Sequence, residues 1–91
     1  MEIIINPNCS ASYIIQHGIK NWPIWVCEPS SFSWKYDEKE ICLILEGEAT
    51  IESIDKKIFK IKSGYLVTFP KNFSCNWTIE KAIKKHYRLG D

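Results

Sequence analysis

Residues 40–54 read Glu-Ile-Cys-Leu-Ile-Leu-Glu-Gly-Glu-Ala-Thr-Ile-Glu-Ser-Ile, and this stretch decides the fold class. Its first half is an apolar run, and its second half alternates, with Ile51 between Thr50 and Glu52, which is the two-residue period of a β-strand. Gly47 separates the halves, and a glycine inside a strand marks a bend or a bulge. The stretch therefore predicts one long strand that bends near its middle.

Turn signals and alternating strands continue from this stretch to the C-terminus. Tight turns are expected at 55–56 and 63–64, and Pro70 ends the β-branched and aromatic run 65–69. Alternation in the last third of the chain assigns one set of apolar side chains to the inner face. These residues are Phe73, Cys75, Trp77 and Ile79, followed less regularly by Ile83, Tyr87 and Leu89.

Towards the N-terminus the pattern is mixed. Residues 1–5 predict a short strand, and Ser10 is placed to cap a short helix that ends near Gly18. From Trp22 onward the period is again two. We predict a single domain over residues 1–91, with an N-terminal strand and short helix in 1–20 and a barrel in 21–91. Many short strands with frequent turns indicate an all-β fold, a small β-barrel or jelly roll.

Composition excludes several classes of protein. Ninety-one residues can close one hydrophobic core, and a net charge of +1 gives no general reason to bind nucleic acid or an anionic membrane. There is no apolar run of about 18 residues, which a membrane-spanning helix needs, so we expect a cytoplasmic protein. The four cysteines form no CxxC pair and are predicted to be free thiols.

Two stretches carry a family resemblance. Residues 34–47 read Trp-Lys-Tyr-Asp-Glu-Lys-Glu-Ile-Cys-Leu-Ile-Leu-Glu-Gly, and residues 64–75 read Gly-Tyr-Leu-Val-Thr-Phe-Pro-Lys-Asn-Phe-Ser-Cys. They resemble the two sequence motifs of the cupin family, and the resemblance implies a cupin barrel. In the first motif the glutamate and the glycine keep their spacing as Glu40 and Gly47, while Trp34 and Tyr36 stand where the family has histidines.

In the second motif Gly64 and Pro70 keep their spacing, whereas Asn72 replaces a glycine and Cys75 replaces the histidine. The likeness extends over residues 20–89. It is greatest to small single-domain cupins related to the (S)-ureidoglycine aminohydrolase cupin domain and to the ethanolamine-utilisation Q-type proteins.

The replaced histidines bear on the metal that the resemblance implies. An indole nitrogen only donates a hydrogen bond, so Trp34 cannot be a ligand, and Tyr36 would bind a metal only as phenolate. Glu40 and Cys75 remain as competent ligands, and two ligands do not make a tight site. We therefore expect no metal ligand set and no cofactor, while weak binding of a divalent metal is left open.

The same positions predict a different kind of pocket. Trp34, Tyr36 and Trp77 are expected as aromatic walls, with a carboxylate and a thiol at the floor. Such a pocket suits a small polar ligand that presents a cation or an amine to Glu40. Glu40 and Cys75 are the candidate catalytic groups, as an acid or base and as a nucleophile.

His86 is the one nearby base and a further candidate for ligand binding, but alternation leaves its orientation open. If Ile83, Tyr87 and Leu89 face inward, His86 faces outward, whereas the opposite parity would turn Lys85 out and His86 in.

Three functions fit these residues. The first is a metal-free or weakly metal-binding cupin that binds a small polar metabolite, with catalysis by Glu40 and Cys75 left open, as a monomer or homodimer. The second is a metal-dependent hydrolase or isomerase, and the third is a filled barrel that serves as an interaction module.

Overall fold

The computed structural model describes residues 2–90, which form seven β-strands and one short α-helix. This confirms the predicted all-β class. The elements in chain order are β1 (Ile4–Asn6), α1 (Ala11–Gln16), a 3₁₀ turn (Ile19–Asn21), β2 (Ile24–Cys27), β3 (Ser30–Lys35), β4 (Glu40–Ser53), β5 (Ile58–Lys62), β6 (Leu66–Phe69) and β7 (Ser74–Leu89).

Two long strands, β4 and β7, form the centre of one antiparallel sheet. They pair with each other along most of their length. On its other edge β4 pairs with β6 near its start and with β5 near its end. The outer edge of β7 likewise pairs first with β3 and then with β2, and β1 extends the sheet beyond β6. Each long strand therefore pairs with two short strands, one after the other, along its outer edge.

The predicted bend in β4 lies at Gly47. The register with β7 shifts between Ile44 and Ala49, and Gly47 has a positive φ of 98°. A Cβ atom here would lie 2.2 Å from the carbonyl oxygen of Ala82, so the close approach of the two strands requires glycine.

Asn72 explains one departure from the cupin motif. Its φ is 70°, a left-handed conformation that asparagine tolerates better than most residues with a side chain. Its backbone N–H donates to the carbonyl of Tyr36 at 2.7 Å. Asparagine can therefore hold the turn at the position where the cupin motif has a glycine.

The sheet curls around one apolar cluster. On β7 the inward positions Cys75, Trp77, Ile79 and Ile83 are all buried, as the alternation predicts. Positions from the other strands, from just after the end of β3 and from the loop before β7 complete this inner core: Tyr36, Cys42, Ile44, Ala49, Ile51, Ile61, Val67, Phe69 and Phe73.

The N-terminal segment covers part of the outer face. Ser10 caps α1, as predicted, because its Oγ accepts a hydrogen bond from the backbone N–H of Tyr13 at 3.1 Å. A second buried cluster of Ile19, Leu43 and Leu66 lies beneath this segment. Within residues 2–90, no helix is long and apolar enough to cross a membrane.

Candidate functional site

A cavity of about 390 Å³ opens at the end of the barrel where β4 begins and β7 ends. This volume lies at the lower end of the roughly 300–1,000 Å³ typical of small-molecule sites. Six of its lining residues are aromatic. The full lining is Trp25, Phe32, Trp34, Lys35, Tyr36, Asp37, Glu38, Glu40, Trp77, Lys85, Tyr87 and Leu89.

A buried ion pair lies in this cavity. The Nζ of Lys85 is 2.7 Å from Oε2 of Glu40, and the two side chains are only 7% and 10% exposed. In the β4–β7 register Lys85 stands opposite Ile44, so its stem extends along the inner face to reach Glu40 at the start of β4. Two opposite charges thus meet in an aromatic interior.

Two indole rings hold the ammonium group from the other side. The Nζ of Lys85 lies 4.9 Å from the ring centroids of both Trp25 and Trp77. Trp77 in turn stacks on Phe32 with an interplanar angle of 7°. A cation above the face of an indole ring is attracted by its negative quadrupole, so the rings and Glu40 together stabilise the charged lysine.

Tyr36 supplies a neutral phenol to the cavity. The indole Nε1–H of Trp77 donates a hydrogen bond to its hydroxyl oxygen at 3.0 Å. Because an indole nitrogen only donates, the phenol keeps its own hydrogen for donation. Burial, followed by the negative charge of Glu40, raises the pKa of Tyr36 well above its usual value, so phenolate does not form at physiological pH.

The structure brings together four of the six predicted site residues, since Trp34, Tyr36, Trp77 and Glu40 all line the cavity. Trp34 differs from the other three because this residue is 54% exposed, whereas Glu40, Tyr36 and Trp77 are buried. The hypothesis of a ligand cation at Glu40 needs revision, because Lys85 of the same chain already provides that positive charge.

Cys75 is buried but does not line this cavity. It borders a second, more open hollow near the β4–β5 turn. Burial is the main cause that raises its pKa to about 11, although the positive charge of Lys85 opposes the shift. The thiol is therefore protonated at neutral pH, which does not favour a nucleophile.

His86 faces away from the cavity, under the N-terminal segment. Its Nδ1 donates to the carbonyl oxygen of Trp22 at 2.9 Å, because a carbonyl can only accept. The inward parity of Ile83 and Tyr87 is the one observed, and it places Lys85 inside. Neither Cys75 nor His86 therefore joins Glu40 in the cavity.

Sequence reasoning missed Lys85 as a site residue, along with Trp25, Phe32 and Tyr87. The signal was present, because Lys85 has the same parity as Ile83 and the other residues expected to face inward. A lysine is seldom buried without a partner, so a lysine in an apolar pattern indicates an exposed position unless a buried carboxylate lies within its reach.

The metal that the cupin resemblance implies does not fit these residues. Within residues 2–90, no three His, Cys, Asp or Glu side chains gather closely enough to hold an ion. The one carboxylate deep in the cavity, Glu40, is 2.7 Å from an ammonium group that would repel a divalent cation. The indole nitrogen of Trp34 has no lone pair to offer, and Tyr36 would need to be a phenolate, which its raised pKa disfavours.

Comparison with known proteins agrees with the fold. Residues 15–87 match the family model of the EutQ-like cupin domain. A crystal structure of a DUF861-family protein from Thermotoga maritima has 39% sequence identity and a TM-score of 0.93, and the match covers 97% of this chain and 99% of that one. No curated protein matches the chain at a significant level.

More distant structures share the fold alone. A putative ethanolamine utilization protein Q from Salmonella typhimurium has 21% identity and a TM-score of 0.67, covering 74% of this chain and 54% of that one. The EutQ protein of Clostridium difficile gives the same identity and TM-score, with 52% of its own length covered. From the family match and the close structural neighbour together, the chain belongs to the EutQ-like cupin domain family and folds as a small cupin β-barrel.

Proposed function

We propose that this protein binds a small polar metabolite in the aromatic cavity of its barrel, without a metal ion. One observation carries the proposal: a buried Lys85–Glu40 pair lies inside an open cavity instead of a filled core. A buried ion pair is weak evidence for stability, since apolar residues of similar volume often stabilise a fold as well or better. Its place in a cavity that a small molecule can enter favours a role in binding.

The lining supports the same proposal. Small-molecule sites are mostly apolar and contain a few polar groups at fixed positions. Here the aromatic rings form the apolar part, and Lys85, Glu40 and Tyr36 supply the polar groups. We do not extend the proposal to catalysis, because the two candidate catalytic residues, Glu40 and Cys75, border different hollows.

Two more specific sequence predictions are kept as proposals: a relationship to the (S)-ureidoglycine aminohydrolase cupin domain, and a cytoplasmic location. The first proposes a relative of this chain and does not identify the ligand of the cavity. A cytoplasmic location is supported by the four free thiols, since disulfides are common in oxidising compartments.

The four tryptophans provide a direct test. Trp25, Trp34 and Trp77 line the cavity, whereas Trp22 packs with the outer cluster. A library of small polar metabolites is screened against ¹⁵N-labelled protein, and the four indole N–H signals are assigned with single Trp→Phe variants. We expect ligands to shift the three cavity signals and leave the Trp22 signal unmoved. If no compound shifts the cavity signals, or if every hit shifts Trp22 equally, the proposal is wrong.

A further inference from the structure

We infer that the cavity takes an electrically neutral, planar molecule that presents a hydrogen-bond acceptor to Lys85 and an adjacent donor to Glu40, as the edge of an amide or lactam does. The inference rests on the proposed function, because it names the chemical class of ligand for the same cavity. Three properties of the site lead to it.

The first property is charge. Lys85 and Glu40 cancel each other at 2.7 Å, and both side chains are at least nine-tenths buried. A ligand with a net charge would enter this interior without a counter-charge, because the site's own two charges are already paired. Burial of an unpaired charge is strongly unfavourable, so both anions and cations are disfavoured.

The second property is hydrogen-bonding capacity. A lysine ammonium has three N–H donors, and the pair with Glu40 uses one of them. A carboxylate accepts up to about four hydrogen bonds over its two oxygens. The pair therefore presents a donor and an acceptor side by side. A carbonyl oxygen next to an N–H matches this arrangement, whereas two acceptors or two donors match only half of it.

The third property is the shape and filling of the walls. The faces of Trp25 and Trp77 already hold the ammonium group of Lys85, so the position suited to a ligand cation is taken. The remaining aromatic lining, with Phe32, Trp34 and Tyr87, offers flat apolar surface. Planar rings pack well on such surface by stacked or edge-to-face contacts.

Three probes of almost identical shape test the inference: benzamide, benzoate and benzamidinium. They are neutral, anionic and cationic at neutral pH, and they present an acceptor with a donor, two acceptors, and two donors. Dissociation constants are measured by titration of the cavity indole signals of the wild-type protein. We expect benzamide to bind at least about tenfold more tightly than either charged probe.

Two variants should reverse the preference. In Lys85→Met the site keeps only the carboxylate, so benzamidinium is expected to bind most tightly; in Glu40→Gln it keeps only the ammonium, so benzoate is expected to do so. Lys81→Met is the matched control, because it removes a lysine from the same strand outside the cavity and should keep the wild-type order. If a single variant does not fold, the wild-type series decides alone.

The outcomes separate the two proposals. If benzoate or benzamidinium binds the wild-type protein as tightly as benzamide, the inference is overturned while small-molecule binding stands. The same holds if none of the three probes binds although metabolites in the screen shift the cavity signals. If nothing shifts those signals, the proposed function itself fails.

Discussion

Two lysine–glutamate pairs join the same two strands and differ mainly in burial. Lys81 on β7 pairs with Glu48 on β4 at 2.9 Å, and their side chains are 72% and 48% exposed. Lys85, four residues further along β7, pairs with Glu40 at 2.7 Å, and these two side chains are only 7% and 10% exposed. Because the partners and distances are similar, a comparison of the two pairs shows how burial changes the contribution of an ion pair to stability.

The surroundings decide how much each pair matters. In water, an exposed pair gains little because solvent and salt screen the charges and two long side chains lose freedom. In a low-dielectric interior the attraction is strong, but so is the cost of removing each charge from water. Each charge of the buried pair therefore needs its partner for stabilisation, whereas water can stabilise each charge of the exposed pair on its own.

Breaking the buried pair should have the largest effect on stability. Lys85→Met leaves the carboxylate of Glu40 in an aromatic interior without its counter-charge, and we expect a loss of about 3–5 kcal/mol in the free energy of unfolding. Urea denaturation at neutral pH, followed by tryptophan fluorescence, measures the change. A loss below about 1 kcal/mol would mean that other groups or solvent stabilise the charge of Glu40. It would contradict the inference that this carboxylate depends on Lys85 as its counter-charge.

The double variant Glu40→Gln/Lys85→Met is the control for that loss. It removes both charges, so it should be closer to the wild type than Lys85→Met is, and the double-mutant cycle should give a coupling energy of at least about 2 kcal/mol. Additive losses would instead show that the two side chains stabilise the fold independently.

His86 follows Lys85 in the sequence and is also buried, but it lies on the opposite face of the sheet. We expect its removal to have an effect on stability between those of the buried and the exposed lysine. His86→Ala removes the hydrogen bond to the carbonyl of Trp22 and leaves a space beneath the N-terminal segment. We expect a loss of about 2 kcal/mol in the free energy of unfolding, with probe binding in the cavity unchanged. A change in the order of probe affinities would contradict the outward placement of His86.

Alternation explains why the sequence predicts some of these placements and not others. On β7 the apolar residues of one parity, Cys75, Trp77, Ile79 and Ile83, are buried, and this part of the core was predictable. Lys81 has the same parity yet is exposed, because the register shifts where Gly47 of β4 meets Ala82. A glycine in a strand predicts a bend, but it does not state which side chains the bend turns out.

The site was harder to predict than the fold, for a related reason. Turns and strand periods are local, and the Ser10 cap and the Gly47 bend were both read from a few neighbouring residues. The partner of Glu40 lies 45 positions away on another strand. Parity could place Lys85 inside, but only the assembled sheet brings its Nζ to that carboxylate and to the faces of Trp25 and Trp77.

Alkaline pH should weaken the same interior by a smaller amount. Burial raises the pKa of Cys75 to about 11 and that of Cys42 to about 12, from about 9 for a solvated thiol. Above about pH 9 the unfolded chain releases these protons while the folded chain keeps them, so stability is complete below pH 9 and falls as pH rises. Between about pH 8 and about pH 10 we expect each thiol to contribute a loss of about 1 kcal/mol.

Variants isolate this loss from other groups that titrate in the same range. Urea denaturation of Cys75→Ala should show a shallower decline with pH than the wild type. Cys27→Ala, which removes a thiol on the half-buried face of β2, is the matched control. Equal slopes for the wild type and Cys75→Ala would contradict the buried, protonated state of Cys75.

The smallest effect is expected at the exposed pair, and it completes the comparison. The hydrogen bond from Lys81 is the main cause that lowers the pKa of Glu48, so any stability it adds is present above about pH 4.5 and is lost as pH falls. At neutral pH, Lys81→Met should leave the urea midpoint within error of the wild type, because both side chains are solvated and salt screens their attraction. If Lys81→Met lowered the free energy of unfolding as much as Lys85→Met does, burial would not explain the difference between the two pairs. If only Lys85→Met is damaging, two nearly identical contacts differ because one of them is buried and the other is exposed to solvent.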